Sequence, residues 1–162
     1  MSGMEIERKF LVVGDDYKRM ATSASHIRQG YICSGRGRTV RVRQRDRKAY
    51  LTIKGPSLDG GLSRYEFEKE ILPEEAEQLF RLCEPGIIDK TRYLVPSASH
   101  TFEVDEFHGD NAGLVMAEVE LAAPDEPYVK PPFIGQEVTG DRRYYNSHLR
   151  QNPYCQWAKD TQ

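Results

Sequence analysis

Glu5-Ile6-Glu7-Arg8-Lys9, running on into Phe10, is the stretch that decides how this chain folds. Two carboxylates and an ammonium occupy alternate positions, and Ile6 and Phe10 fill the opposite phase, interrupted only by Arg8. Residues two apart on a β-strand share a face, so the stretch predicts a strand with one charged side. One such strand is an ordinary solvated edge. Here the spacing recurs: Arg41, Arg43 and Arg45; Arg64, Glu66, Glu68 and Glu70; Lys90 and Arg92; Glu103 and Asp105; Glu118 and Glu120. Several strands each offer one charged face, and the faces carry both signs.

Working outward, strands are expected at 4–12, 27–33, 38–45, 48–54, 63–72, 88–95, 100–108, 114–122 and 135–139, punctuated by glycine turns. Most connections are too short for a parallel crossover, so the sheet is expected to be antiparallel. Three helices interrupt it. The first is capped by Asp15 or Asp16, with Tyr17, Met20, Ala21 and Ala24 on its apolar side. The second opens at Pro73, carries Glu74 and Glu75 in its first turn, and shows the stripe Ala76, Leu79, Phe80 and Cys83. The third starts near Asp141 and runs through Tyr145 and Leu149 to about residue 150. Residues 124–132 read as an exposed proline-rich loop. The organisation expected is one domain over residues 1–150, followed by a loose tail at 151–162 that contains Trp157.

The chain of 162 residues is long enough for one real core. Its 23 basic and 25 acidic residues nearly cancel, leaving a net charge of −2 and no bulk attraction to nucleic acid or anionic membrane. No apolar run approaches a membrane span, and no signal-peptide pattern precedes Glu5. Cys33, Cys83 and Cys155 are odd in number and widely spaced, as expected of reduced thiols in a cytoplasmic protein. The four histidines share no metal-ligand spacing.

Eight or nine antiparallel strands in so small a domain suggest a closed or nearly closed barrel, an α+β fold that is mainly β with helices packed outside. The charged phases have two possible destinations. Facing outward, they decorate a surface. Facing inward, they line a polar lumen that needs counter-ions. Paired acids there answer to a divalent, oxygen-preferring metal such as Mg²⁺ or Mn²⁺. Clustered Arg and Lys answer to a polyanion, above all phosphate. Together they read as a metal-assisted phosphoryl-transfer site.

Glu5-x-Glu7-x-Lys9 resembles the N-terminal signature of the CYTH superfamily, the triphosphate tunnel metalloenzymes. The resemblance continues through Gln29-Gly30-Tyr31, Arg41-Val42-Arg43, Thr52-Ile53-Lys54-Gly55, Ser63 to Glu68, Lys90-Thr91-Arg92-Tyr93, Glu103 to Phe107, Ala117 to Leu121, Glu137-Val138-Thr139 and Tyr144 to Leu149. It covers nearly the whole chain. It implies a closed eight-stranded antiparallel tunnel, in agreement with the inward placement. It implies that Glu5, Glu7, Glu118 and Glu120 gather Mg²⁺ or Mn²⁺. It further implies that Lys9, Arg41, Arg43, Lys54, Arg64, Lys90 and Arg92 hold the triphosphate, with Lys90, Glu7 and Tyr31 closest to the chemistry. Arg41, Arg43, Lys54 and Arg92 are read as binding substrate rather than supporting the fold. Glu66 and Glu68 are read as structural or secondary, each in a salt bridge to a lumen arginine.

A compact stand-alone chain most resembles the small bacterial tripolyphosphatases. The activity implied is hydrolysis of a terminal phosphoanhydride of inorganic tripolyphosphate, releasing phosphate. The partner implied is a triphosphate-bearing small molecule or inorganic polyphosphate, with a homodimer also in keeping with the resemblance. The alternatives within the family are a class IV-type adenylate cyclase and a thiamine triphosphatase. The non-enzymatic alternative is a polyphosphate-binding module, against which the paired acids argue.

Overall fold

Alternation of polar and apolar side chains along each strand is realised here with the usual sides reversed. The computed structural model describes residues 3–157. Among them are nine strands: β1 (Gly3–Val12), β2 (Ser23–Gly35), β3 (Arg38–Arg45), β4 (Lys48–Lys54), β5 (Ser63–Ile71), β6 (Ile88–Ser97), β7 (His100–Phe107), β8 (Val115–Leu121) and β9 (Ile134–Glu137). The order β5-β4-β3-β2-β6-β7-β8-β1 closes on itself because β1 also pairs with β5. On one edge of β1, Glu7 lies opposite Glu120 and Lys9 opposite Glu118. On the other, Glu5 lies opposite Arg64, and beyond that β9 takes over at Phe10 and Val12. The result is a closed eight-stranded antiparallel barrel with a ninth strand outside it. A barrel of eight strands leaves an interior about wide enough for side chains or one small ligand.

Ile6, Phe10 and their counterparts face out, and the helices and loops cover them. Phe10, Phe102, Val104, Ala117, Val119 and Leu121 pack with Tyr17 of α1 (Asp16–Met20) and with Phe133 of the long loop before β9. On another side, α2 (Pro73–Phe80) lays Ala76 against Val42 and Ala49. Pro73 opens this helix, and the Glu75 carboxylate accepts the Leu72 N–H at 2.8 Å, satisfying one of the free amides of its first turn. At one end of the barrel the inward phase itself turns apolar. Leu11, Ile88, Phe107 and Met116 meet Val138, Tyr144 and Leu149 there and form a floor.

Three features differ from the sequence reading. The first helix ends at Met20, and Ala24 belongs to β2, opposite Tyr93 of β6. Ladder pairing with β6 outweighs one further apolar position in a helix of marginal length. The third helix is broken: Arg142–Tyr144 is a 3₁₀ turn, Tyr145 is extended at φ −71° and ψ 132°, and α3 covers only Asn146–Leu149. Residues 151–157 pack on the barrel rather than hang loose, and the Trp157 ring lies edge-on against Tyr144 and Tyr154 at 5.1 Å from each. Residues 158–162 of the expected tail lie outside the described ones.

The C-terminal segment crosses the turn that precedes β5 at a contact of backbone on backbone. Gly140 (φ 82°) sits against Gly60 and Gly61, and a Cβ on it would run into the Gly60 carbonyl oxygen. Only glycine combines that closeness with a left-handed conformation. Gly140→Ala is expected to lower stability by ~1–3 kcal/mol, read as a fall in the urea midpoint at unchanged slope.

Candidate active site

Inside the barrel is a cavity of about 180 Å³. The period-two pattern brings to it Glu5, Glu7 and Lys9 of β1, Tyr31 of β2, Arg41 and Arg43 of β3, and Lys54 of β4. Arg64 of β5, Lys90 and Arg92 of β6, and Glu118 and Glu120 of β8 complete the set, so the structure gathers every site residue expected from the sequence in one lumen.

The cations fall into two groups. Arg92 and Lys54 are committed. Arg92 donates from Nε and Nη2 to both Asp105 oxygens, at 2.8 and 2.9 Å, and from Nη1 to Glu103 at 2.8 Å. Burial opposes its charge, but Asp105 and Glu103 hold its pKa well above the ordinary value. Lys54 donates to Glu5 at 2.9 Å and lies 3.2 Å from Glu66. Both residues line the lumen while already paired with carboxylates. Arg43 and Arg41 are freer. Arg43 donates from Nε to Gln29 at 2.9 Å, and Gln29 in turn donates to the Tyr31 hydroxyl at 3.0 Å. Burial, with Arg41 and Arg92 beside it, lowers the Arg43 pKa to about 9. Arg41 donates to Thr52 at 3.1 Å and lies 3.6 Å from Glu68, and its buried Nε finds no acceptor. An anion in the lumen would supply what both guanidiniums lack.

Lys90 is the most enclosed charge, 1% exposed. Its ammonium lies 2.8 Å from Asp105 Oδ2 and donates to Asn146 Oδ1 at 3.0 Å. Burial lowers its pKa to about 7, helped by Arg92 and Arg43 and opposed by Asp105. Asp105 is thus the shared counter-ion of Lys90 and Arg92. Burial pushes its carboxyl up, but the two cations outweigh this and bring it to about 2.

The acids on β1 and β8 also divide. Burial would raise Glu5 and Glu118, but Lys54 holds Glu5 at about 2, and Lys9, 3.4 Å away, with Arg92 holds Glu118 well below its usual range. Glu7 goes the other way: burial and the neighbouring Glu118 and Glu5 push it well above its ordinary value. Glu120 rises for the same reasons, burial first and then Glu5 and Glu103. These four carboxylates are the donor chemistry that Mg²⁺ or Mn²⁺ prefers, and a cation would offset the repulsion at Glu7 and Glu120. The fit is not preformed. Among the described residues no three such groups converge closely enough to hold an ion, because Glu5 and Glu118 are engaged by lysines.

Glu68 pairs with Arg41, as expected, whereas Glu66 pairs with Lys54 rather than with an arginine, because the barrel register sets Lys54 opposite it. Arg64 lies 3.8 Å from Glu5 and 5.6 Å from the Tyr145 ring centre. The sequence reading did not name Thr39, Thr52, Gln29 and Glu103 as site residues. The first three share the inward phase of Arg41, Lys54 and Tyr31, and Glu103 shares that of Asp105, so parity alone could have found them. Tyr145, Asn146 and Ser147 also line the lumen, but from an irregular segment with no periodicity to read. Tyr65 and Phe67 of β5 are on the outer face, 52% and 37% exposed, and offer no stacking surface to the lumen.

Fold and lumen together define a closed barrel whose interior is lined by clustered cations and bordered by carboxylates. A family model described as the CYTH domain matches residues 3–146. An inorganic triphosphatase of Acetivibrio thermocellus is 50% identical over 153 residues, covering 94% of this chain and 96% of that protein. An inorganic triphosphatase of Nitrosomonas europaea is 37% identical over 150 residues, covering 90% and 95%. The solved structure of the inorganic triphosphatase NE1496 matches with a TM-score of 0.61 at 32% identity, covering 90% of this chain and 93% of that one. The chain belongs to the CYTH family.

Proposed function

We propose that this protein is a divalent-metal-dependent hydrolase of triphosphates, with inorganic tripolyphosphate as its substrate. The observation that carries this is the closed lumen in which Arg41 and Arg43 retain unspent hydrogen-bonding capacity beside the carboxylates of β1 and β8. The names of the two relatives support it. Tyr145, a lumen tyrosine, already has Lys9 and Arg64 against its ring, which favours an inorganic substrate over one that stacks a thiamine ring. The unpaired state of Cys33, Cys83 and Cys155 supports a cytoplasmic location.

In this reading Lys9, Arg41, Arg43 and Arg64 bind the phosphate oxygens, and Arg92 and Lys54 add positive potential while held by their own acids. Glu5, Glu7, Glu118 and Glu120 would hold Mg²⁺ or Mn²⁺, which supplies charge neutralisation at the phosphate oxygens when bound. Lys90 orients the terminal phosphate, and the Tyr31 hydroxyl faces the same space. Water attacks the terminal phosphorus in line: its oxygen bonds to phosphorus as the bridging P–O bond breaks, pyrophosphate leaves, and the lost proton passes to solvent. The basic side chains stabilise charge on the equatorial and leaving oxygens.

The test is phosphate release from tripolyphosphate, ATP and thiamine triphosphate in parallel, with Mg²⁺ or Mn²⁺. Tripolyphosphate is expected to be the preferred substrate. Excess chelator, and Glu7→Gln, are expected to abolish turnover while the circular dichroism spectrum stays native. Full activity in chelator would end the metal assignment.

A further inference from the structure

Next to the lumen lies a second cavity, of about 400 Å³, at the end of the barrel where the β2–β3 hairpin approaches α3. Arg36, Arg38 and Arg142 line it with His148, and it holds no acidic residue. All four are exposed, and among the described residues their side chains have no carboxylate within ion-pair distance. The lowered pKa of His148, due first to burial and then to Arg142 and Arg150, is in keeping with a positive field there. The two cavities meet along Thr39, Arg64, Tyr145 and Ser147. Tyr145 stands between them. Its ring lies 5.1 Å from the Lys9 ammonium on the lumen side and 5.9 Å, edge-on, from the His148 ring on the cleft side. Its hydroxyl lies 3.4 Å from that of Ser57.

We infer that the arginine cleft is a subsite for the part of a linear polyphosphate that exceeds three phosphates, and that Tyr145 is the wall that sets how much of the chain the lumen accepts. This rests on the triphosphatase reading above. Three guanidiniums without counter-ions suit a flexible chain of phosphates, each unit presenting oxygens to a planar fork. A nucleoside would want a free aromatic face, and of the two aromatic rings lining the cleft Tyr145 is already flanked by Lys9 and Arg64 and meets the other, His148, edge-on. Lys9 and Arg64 at the junction keep the path between lumen and cleft cationic.

The experiment is competition binding of tripolyphosphate, long-chain linear polyphosphate and ATP to the full chain, with tripolyphosphate turnover measured alongside. Arg36→Ala combined with Arg142→Ala is expected to weaken long-chain polyphosphate by about tenfold and to leave tripolyphosphate binding and turnover unchanged. Tyr145→Ala is expected to shift the ratio of long-chain to tripolyphosphate turnover toward the longer chain, whereas Tyr145→Phe, which keeps the ring, retains the wild-type ratio. Long-chain polyphosphate bound equally well by the double variant, a loss confined to ATP, or an unchanged ratio in Tyr145→Ala would each overturn the inference. Failure of the wild-type protein to turn over tripolyphosphate would instead overturn the triphosphatase reading on which it rests.

Discussion

Arg92→Ala is expected to lower the stability of the fold by ~3–5 kcal/mol, the cost of removing one partner from a buried ion pair. Arg92 is 7% exposed and binds both oxygens of Asp105, which is 3% exposed, and also Glu103. Its loss leaves Asp105 with Lys90 alone, and burial would then push that carboxyl upward. Arg43→Ala is the control. Arg43 has no carboxylate partner and is disfavoured by burial and by Arg41 and Arg92, so its removal relieves repulsion while orphaning only the Gln29 carbonyl. The change expected there is within ~1 kcal/mol, with tripolyphosphate binding weakened by ~1.5–3 kcal/mol. Urea melts at neutral pH and titration with tripolyphosphate separate the two. A wild-type urea midpoint in Arg92→Ala would show that Asp105 does not depend on it.

Lys90→Ala is expected to lower kcat by ~10²–10³-fold while KM changes far less, as when one preorganised donor to a developing charge is removed. Asp105 keeps Arg92 in this variant, so the fold should survive. The pH profile gives a second readout. The Lys90 pKa is lowered to about 7, so in the free enzyme the ammonium is lost as pH rises through that value. The wild-type kcat/KM is therefore expected to fall on the alkaline side from near neutrality. The bound triphosphate favours the charged form, so the matching limb in kcat should lie at higher pH. The stability effect has the opposite sign. Between about 7 and the ordinary 10.5 the unfolded chain holds a proton that the folded one has released, so this group's contribution to stability rises with pH across that window. Below it, the full cost of burying the ammonium is felt. An alkaline limb in kcat/KM that is identical in Lys90→Ala would remove Lys90 from the chemistry.

These two variants separate side chains that the sequence presents as equivalent. Arg41, Arg43, Lys54, Lys90 and Arg92 all stand on the charged phase of a strand, and that phase was legible because a strand repeats every two residues whatever surrounds it. Which of them is spent on a carboxylate was not legible. Arg92 meets Asp105 because β6 pairs with β7 in one register, and Lys54 meets Glu5 because the barrel closes. The helix ends were misread for a similar reason. Ala24 fits an apolar helical stripe, but ladder bonds to β6 claim it. Tyr145 fits a helix through residue 150, but an extended backbone turns it toward the lumen.

The sequence by itself determined the strands, their antiparallel pairing, the charged phase and the residue types that share it. Local backbone geometry sets all of these, and each is written within a few neighbouring positions. Only the tertiary structure decided that the charged phase faces inward around a closed lumen, that an apolar floor ends it, and that Asn146 reaches Lys90 and Tyr145 stands between lumen and cleft. Those outcomes join residues far apart in the chain. They follow from barrel closure and from the cost of leaving a buried charge without a partner, which no short stretch of sequence records.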